Sequence, residues 1–496
     1  MTPDIAAGFT IAFVGDCVLS RPVSQLAGRD PAFASVLDLL ATADVGCGNL
    51  ETVIFDPREQ SCHPYPWDGD WTLAAEPSAA ADLAAMNIRL VSRANNHALD
   101  WGTAGMRATS SLLDQARVVH AGAGVNEATA RAARYLETPA GRVALASFAT
   151  TFRPFSDAVA SRGEAPGRPG VSPVALTPIA VLPDDLFDTL AAAARRLGTP
   201  ADGGPFQLFG QRVERAADGS PAPPRYRYLP CEEHLRAELR AIRLARQHSD
   251  YLVATLHSHE AASEAAPTEP AHIVGDLARQ AIDAGADAFV TTGIHRLGPV
   301  EIYRGRPIFH GMGNFFWSDM QQPLPGELYR VHRELLAGTF PALDDVTDAD
   351  LSRTLNAASF DHDWVFESVV ARCRYDADGL AELLLHPVDL GRGRGLTTSG
   401  IPRRADAEQG RAIVERLAES SARFGTRIEW TGTAGRVRLR SPLGVRACGP
   451  RPRSSRQPAG RPGQRRPGAT PGPAQCPDQP AQGHRRTRPL RPRCAP

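Results

Sequence analysis

The sequence contains no lysine; all 55 basic residues are arginine. That excludes a Schiff-base lysine, a lysine general base and the lysine of a phosphate-binding P-loop. It also fits a strongly GC-rich coding sequence. No stretch approaches the ~18 consecutive apolar residues of a membrane span. The opening MTPDIAAGFTIAFVGD has no basic n-region and no long apolar core, so no signal peptide is expected. The eight cysteines (17, 47, 62, 231, 373, 448, 476, 494) lack paired metal-knuckle spacing and read as reduced thiols. These absences point to a cytoplasmic chain. No internal repeat is present.

What is there is ordinary in composition: 496 residues, 42% hydrophobic and 22% charged, enough for several domains or one large one. The net charge of zero hides two opposed regions. From Gly449 to Pro496, eleven arginines stand against one acid, Asp478, whereas residues 1–448 hold 44 arginines and 54 acids. The acidic body argues against nucleic acid as a partner. Residues 449–496 hold twelve prolines and almost no large apolar side chain. They cannot bury enough surface to offset ordering entropy, so disorder is predicted there. The same bias reads as a shifted reading frame.

Short apolar runs alternate with helical patterns, which predicts a layered α/β domain. Strands are predicted over Phe9–Gly15, Ala43–Asn49, Arg89–Arg93, Gly141–Thr150, Tyr251–Leu256 and Ala288–Thr292. Helices are predicted over Pro31–Ala41, Pro77–Met86, Thr103–Arg117, Asp184–Leu197, Cys231–His248, Pro270–Ala284 and Ala405–Phe424. Hairpins are predicted at Val300–Met312 and Trp364–Val388. Residues 154–182 read as a surface loop and 198–230 as a Pro/Gly-rich insertion.

The chemistry is positional. Asp16, Glu51, Asn96 with His97, His257 and His295 all follow apolar strands, and in α/β sheets ligands gather at the carboxyl ends of strands. Carboxylates, an amide oxygen and imidazoles suit Mn, Fe, Zn or Mg rather than a thiolate site. One or two ions are expected; a pair ~3.5–4 Å apart clamps a phosphoryl group and generates the nucleophile. His97 would protonate the leaving oxygen, with Asp100 as the acceptor that orients it. Blander readings stand beside these. Asp16 can cap a turn, Asn95-Asn96 can be a turn pair, and Phe315, Phe316 and Trp317 can be core. Arg162 and Arg168 can be solvated loop residues, although an arginine there suits an anion.

Eight segments then carry a resemblance in order: FVGDCVLSR (13–21), GNLETVI (48–54), SRANNHALDWGTAGM (92–106), HAGAG (120–124), GRPGVSP (167–173), LHSHE (256–260), AIDAGADA (281–288) and VEIYRGRPIFHGMGNFFW (300–317). The chain resembles the CapA family of poly-gamma-glutamate capsule-biosynthesis proteins over roughly 9–440. The resemblance implies a calcineurin-type metallophosphoesterase fold, a layered β-sandwich flanked by helices. It makes Asp16 a ligand of a first metal, Glu51 the bridging carboxylate, Asn96 a ligand of a second metal and His97 the acid. His257 and His295 become ligands, and Asn95, His259, Glu260, Arg168 and Asn314 supporting or substrate contacts. Two imidazoles of the pattern are replaced, by Val18 and Thr292. The implied partner is an anionic polymer or a phosphorylated small molecule. Three functions follow: a CapA-family protein with a metal-dependent site, a phosphatase or phosphodiesterase acting on a small metabolite, or a degenerate scaffold that binds without turnover.

Overall fold

Residues alternate faces along a strand, and the first strand, Thr10–Val18, shows the consequence. Ile11 and Phe13 point into one apolar cluster while Ala12 and Val14 point into another. A strand buried on both faces belongs in the middle of stacked layers. The computed structural model describes residues 5–439 except 60, 67–70, 218–222, 264–265 and 319–320. The predicted disorder of 449–496 falls outside the described residues.

Two sheets form the centre. The first runs Ile428–Trp430, Gly435–Val437, Gly379–Asp389, Glu367–Asp376, Thr10–Val18, Val45–Leu50, Ile88–Ser92, Val119–Ala121. The second runs Val300–Tyr303, Arg306–Phe309, Ala288–Thr292, Tyr251–His257, Gly141–Ala149, Arg134–Thr138. Ile11, Phe13, Val45 and Leu90 of the first meet Val143, Leu145, Val253 and Val290 of the second in one buried cluster. On the outer faces, helix Pro31–Ala41 covers the first sheet with Phe33 and Val36, and helices Glu232–Arg246 and His272–Ala284 cover the second with Ile242 and Leu277. The result is an α/β sandwich in four layers, as expected.

One crossing places the site. Strand Thr10–Val18 pairs antiparallel with Glu367–Asp376 as far as Phe13, then shifts register and pairs in parallel with Asn314–Trp317 from Asp16 onward. Gly15 sits at the switch. A Cβ there would lie 1.9 Å from the Gly313 carbonyl oxygen, so only glycine lets the two backbones approach.

The loop reading of 154–182 is corrected. Leu176–Leu182 is a strand in a small four-stranded sheet with Phe206–Leu208, Gln211–Arg215 and Arg225–Pro230. Pro178 is tolerated because pairing with Gln211–Arg215 begins only at Ile179. The Pro/Gly-rich 198–230 thus supplies three strands of that sheet. Residues 318–363, to which no element was assigned, contain helices Gly326–Val331, Arg333–Ala337 and Asp348–Ser359.

Candidate metal centre

Strands of both sheets end at one edge, where their terminal side chains meet. The fully buried Asp16 accepts from Asn49 Nδ2 at 2.8 Å and from the Gly293 backbone N–H at 3.2 Å. Its Oδ2 also lies 3.3 Å from His295 Nδ1. Burial pushes the Asp16 carboxyl up, but the hydrogen bond and charge of His295, the charge of His257 and the Asn49 donor outweigh it and hold it at about 2. Glu51, also fully buried, has Oε1 3.5 Å from His257 Nε2.

His257 ends strand Tyr251–His257. Its Nδ1 lies 3.1 Å from Thr292 Oγ1, and its Nε2 lies 3.0 Å from His259 Nε2. Burial first, and the neighbouring His259 second, push its pKa well below the usual imidazole range, a shift toward the neutral ring that a metal ligand needs. If Thr292 accepts from Nδ1–H, the Nε2 lone pair faces the cluster. A threonine thus occupies the position where the family pattern has an imidazole, and His259 brings its ring to the cluster from two residues beyond His257. The other replaced position, Val18, lines a cavity together with Glu51, His259 and His295.

Two groups of three ligand atoms lie within 4.8 Å of one another: Asp16, Glu51 and His257, and Glu51, His259 and His295. Glu51 belongs to both. His295 has φ +52°, a left-handed conformation uncommon outside glycine. Its Nδ1 lies 2.9 Å from Asn314 Oδ1, and the Asn314 amide donates to the Val365 carbonyl at 3.0 Å.

Asn96 and His97 follow strand Ile88–Ser92 and line a cavity of about 200 Å³ above Glu51. The Asn96 Oδ1 atom is buried and accepts no hydrogen bond among the described residues. His97 Nδ1 lies 2.8 Å from Asp100 Oδ2, which also accepts from the Leu73 N–H at 2.6 Å. Asp100 Oδ1 lies 2.9 Å from Arg153 Nη2. A carboxylate so placed can only accept, which puts the proton on Nδ1 and leaves Nε2 for the cavity.

The remaining predicted residues stand around this set. Asn95 donates to Asn49 Oδ1 at 3.0 Å and to the Leu50 carbonyl at 2.8 Å, and its own oxygen accepts from the His97 N–H. Glu260 accepts from Ser258, Thr150 and Thr151 hydroxyls and braces the loop that carries His259. Arg168 is not brought to the cluster; it pairs with Asp157 at 2.6 Å in a half-exposed loop.

Sequence reading missed Asn49, which joins Asp16, His257 and Asn95. It stands two residues before Glu51 in the quoted GNLE segment, and that was its signal. It also missed the cavity walls Trp71, Asn356 and Phe360, and it read Trp317, a fourth, as core. Asn356 lies on helix Asp348–Ser359, whose start is marked by a capping box between Thr347 and Asp350.

Comparison with known proteins identifies the family. The family described as "Bacterial capsule synthesis protein PGA_cap" matches residues 10–319. An uncharacterized protein, y4sH, of Sinorhizobium fredii is 38% identical over 450 residues, covering 88% of this chain and 94% of that protein. The PGA biosynthesis protein CapA of Bacillus subtilis is 24% identical over 310 residues, covering 62% of this chain and 63% of that protein. Among solved structures, one described as a novel phosphatase of Mycoplasma pneumoniae is 10% identical, covering 80% of this chain and 91% of that one, with a TM-score of 0.31.

Proposed function

Because the chain belongs to the bacterial capsule synthesis protein family PGA_cap, we propose that its strand-end pocket is a metal-dependent hydrolytic site of the metallophosphoesterase kind. Its substrate would be a small anionic group, such as a phosphate ester or the end of a gamma-linked glutamate polymer. The observation that carries this reading is the pair of ligand triads sharing Glu51 beneath a cavity that His97 also lines.

The residues present fit a divalent ion. Two buried carboxylates, three imidazoles and the Asn96 carbonyl oxygen form an oxygen and nitrogen donor set. An amide oxygen buried without a partner is costly unless something binds it. Asp16, Glu51 and His257 would hold one ion; Glu51, His259 and His295, with Asn96, a second. An ion bound there supplies Lewis-acid polarisation of a phosphoryl or carbonyl oxygen.

The chain's own groups do the rest. His97, held through Nδ1 by Asp100, presents Nε2 to protonate a leaving oxygen. Trp71, Trp317 and Phe360 wall the cavity and limit water. A volume of about 200 Å³ suits one small group or a chain end, not the middle of a polymer.

The test is elemental analysis joined to aryl-phosphate hydrolysis with Mn, Fe, Zn or Mg supplied. Wild type should carry near-stoichiometric metal and turn over. His97→Asn should keep the metal and lose turnover. The double variant Asp16→Asn/His257→Gln should lose both. Metal without turnover under every ion counts against phosphoester chemistry, and a folded wild type that takes up no metal counts against the site itself. In that second case the Val18 and Thr292 replacements favour a scaffold that binds without turnover.

A further inference from the structure

A cavity of about 500 Å³ lies at the sandwich edge, against the outermost strands Val119–Ala121 and Arg134–Thr138. Arg89, Arg117 and Arg134 line it. None of these three guanidinium groups makes a salt bridge or hydrogen bond among the described residues. One lining residue, Asp114, is acidic; its carboxylate is 77% exposed and faces His120 Nε2 at 3.3 Å.

A fourth arginine backs the wall. Arg93 is buried, and its guanidinium donates to Ser110 Oγ at 2.7 Å and to the Met106 carbonyl at 3.2 Å. Both acceptors are neutral, and Ser110 itself lines the cavity. Burial lowers the Arg93 pKa to about 10. His120, also in the lining, has a buried Nδ1 with no hydrogen-bond partner among the described residues. Burial, then the charges of Arg93 and Arg134, lower its pKa to about 4, although Asp114 opposes them.

Charged side chains on edge strands often only prevent edge-to-edge pairing. That accounts for Arg134. It does not account for a buried arginine paired with neutral groups, nor for Arg117, which adopts φ +57° where glycine or asparagine is at ease. Four like charges converge here on a body that is acidic as a whole. An anion in the cavity would add a second negative charge, beside that of Asp114, to offset the burial of Arg93. The planar guanidinium fork matches phosphate and carboxylate oxygens.

We propose that this cavity binds a small multivalent oxyanion, a phosphate ester or a polycarboxylate, at a site separate from the metal centre. Arg93 stands three residues before Asn96, and its N–H donates to the Ala121 carbonyl of the edge strand at 2.8 Å. The anion site therefore adjoins the segment that carries Asn96 and His97. The proposal does not depend on the metal centre being catalytic.

The experiment is phenylglyoxal modification of the full chain, read arginine by arginine by peptide mass, with inorganic pyrophosphate or citrate present. Arg117 and Arg134 should be protected about fivefold at ~1 mM of at least one anion. Pyrophosphate alone protecting identifies phosphate chemistry, citrate alone identifies carboxylates, and both identify charge as the selector. In calorimetric titration, Arg117→Gln/Arg134→Gln should weaken the same anion about tenfold. The site is overturned if neither anion protects these arginines at ~10 mM, or if the double variant binds as wild type does. The protection assay uses wild-type protein and so survives a variant that fails to fold.

Discussion

His97 Nδ1 lies 2.8 Å from Asp100 Oδ2, and the opposite oxygen of Asp100 lies 2.9 Å from Arg153 Nη2. Arg153 also donates to the Trp71 carbonyl, so a cavity wall and the orientation of His97 share one buried guanidinium. Replacing Asp100 with alanine removes a buried acceptor that both His97 and Arg153 use and should cost ~3–5 kcal/mol of stability. Asp100→Asn is gentler; it should keep the fold and lower aryl-phosphate turnover by about 10²-fold or more by freeing the imidazole. Urea unfolding and steady-state kinetics on the two variants separate these effects. Unchanged kcat in Asp100→Asn would show that His97 needs no orienting partner.

Glu51 is common to both ligand triads. Glu51→Gln should therefore strip metal from both positions, whereas His257→Ala and His259→Ala should each weaken one. Elemental analysis after dialysis reads the difference directly. Chelator should also lower the melting temperature of wild type; an ion present at 100 times its Kd stabilises by about 2.7 kcal/mol. Wild-type metal content in Glu51→Gln removes the shared-ligand arrangement.

Glu238 gives a pH dependence of known sign. Burial raises its carboxyl from 4.5 to about 7, outweighing the charge of Arg131 and the hydrogen bond from Ser172. Between those values the folded chain holds a proton that the unfolded chain releases, so this group's contribution to stability falls as pH rises. Glu238→Gln should abolish that slope and be more stable than wild type at pH 8 by roughly 2 kcal/mol. Arg131 keeps a partner in the variant, because Glu127 lies 2.6 Å away. Denaturant midpoints at pH 5 and pH 8 decide it; parallel slopes for both proteins contradict the assignment.

Gly15→Ala tests the strand crossing. The added carbon would sit 1.9 Å from a backbone oxygen that cannot rotate away. The expected loss is about 2 kcal/mol or more, with weaker metal binding because Asp16 follows directly. A midpoint within error of wild type means the two backbones can separate freely at this point.

Much of this was legible along the chain. Short apolar runs marked Thr10–Val18, Val45–Leu50, Tyr251–His257 and Ala288–Thr292 within a few residues, because each is a continuous buried run. The polar residues at or just beyond their carboxyl ends stood out for the same reason: a carboxylate or imidazole ending such a run is buried and needs partners. Pro/Gly content misled at Leu176–Leu182, since a proline at a strand's start, with only one paired neighbour, costs no ladder bond.

The sequence by itself therefore determined which side chains end the strands, and the burial pattern that makes them strands at all. Only the tertiary structure decided that they meet. Asp16 and Gly293 stand 277 residues apart, and their contact exists because parallel strands of two separate sheets end at one edge. Local periodicity encodes a face, not a partner. For the same reason the chain could not disclose that His259 comes within reach of Glu51 and His295, that His257 Nδ1 faces Thr292 Oγ1, or that Asn356 and Phe360 wall the cavity. Those roles follow from distances that sequence separation does not record.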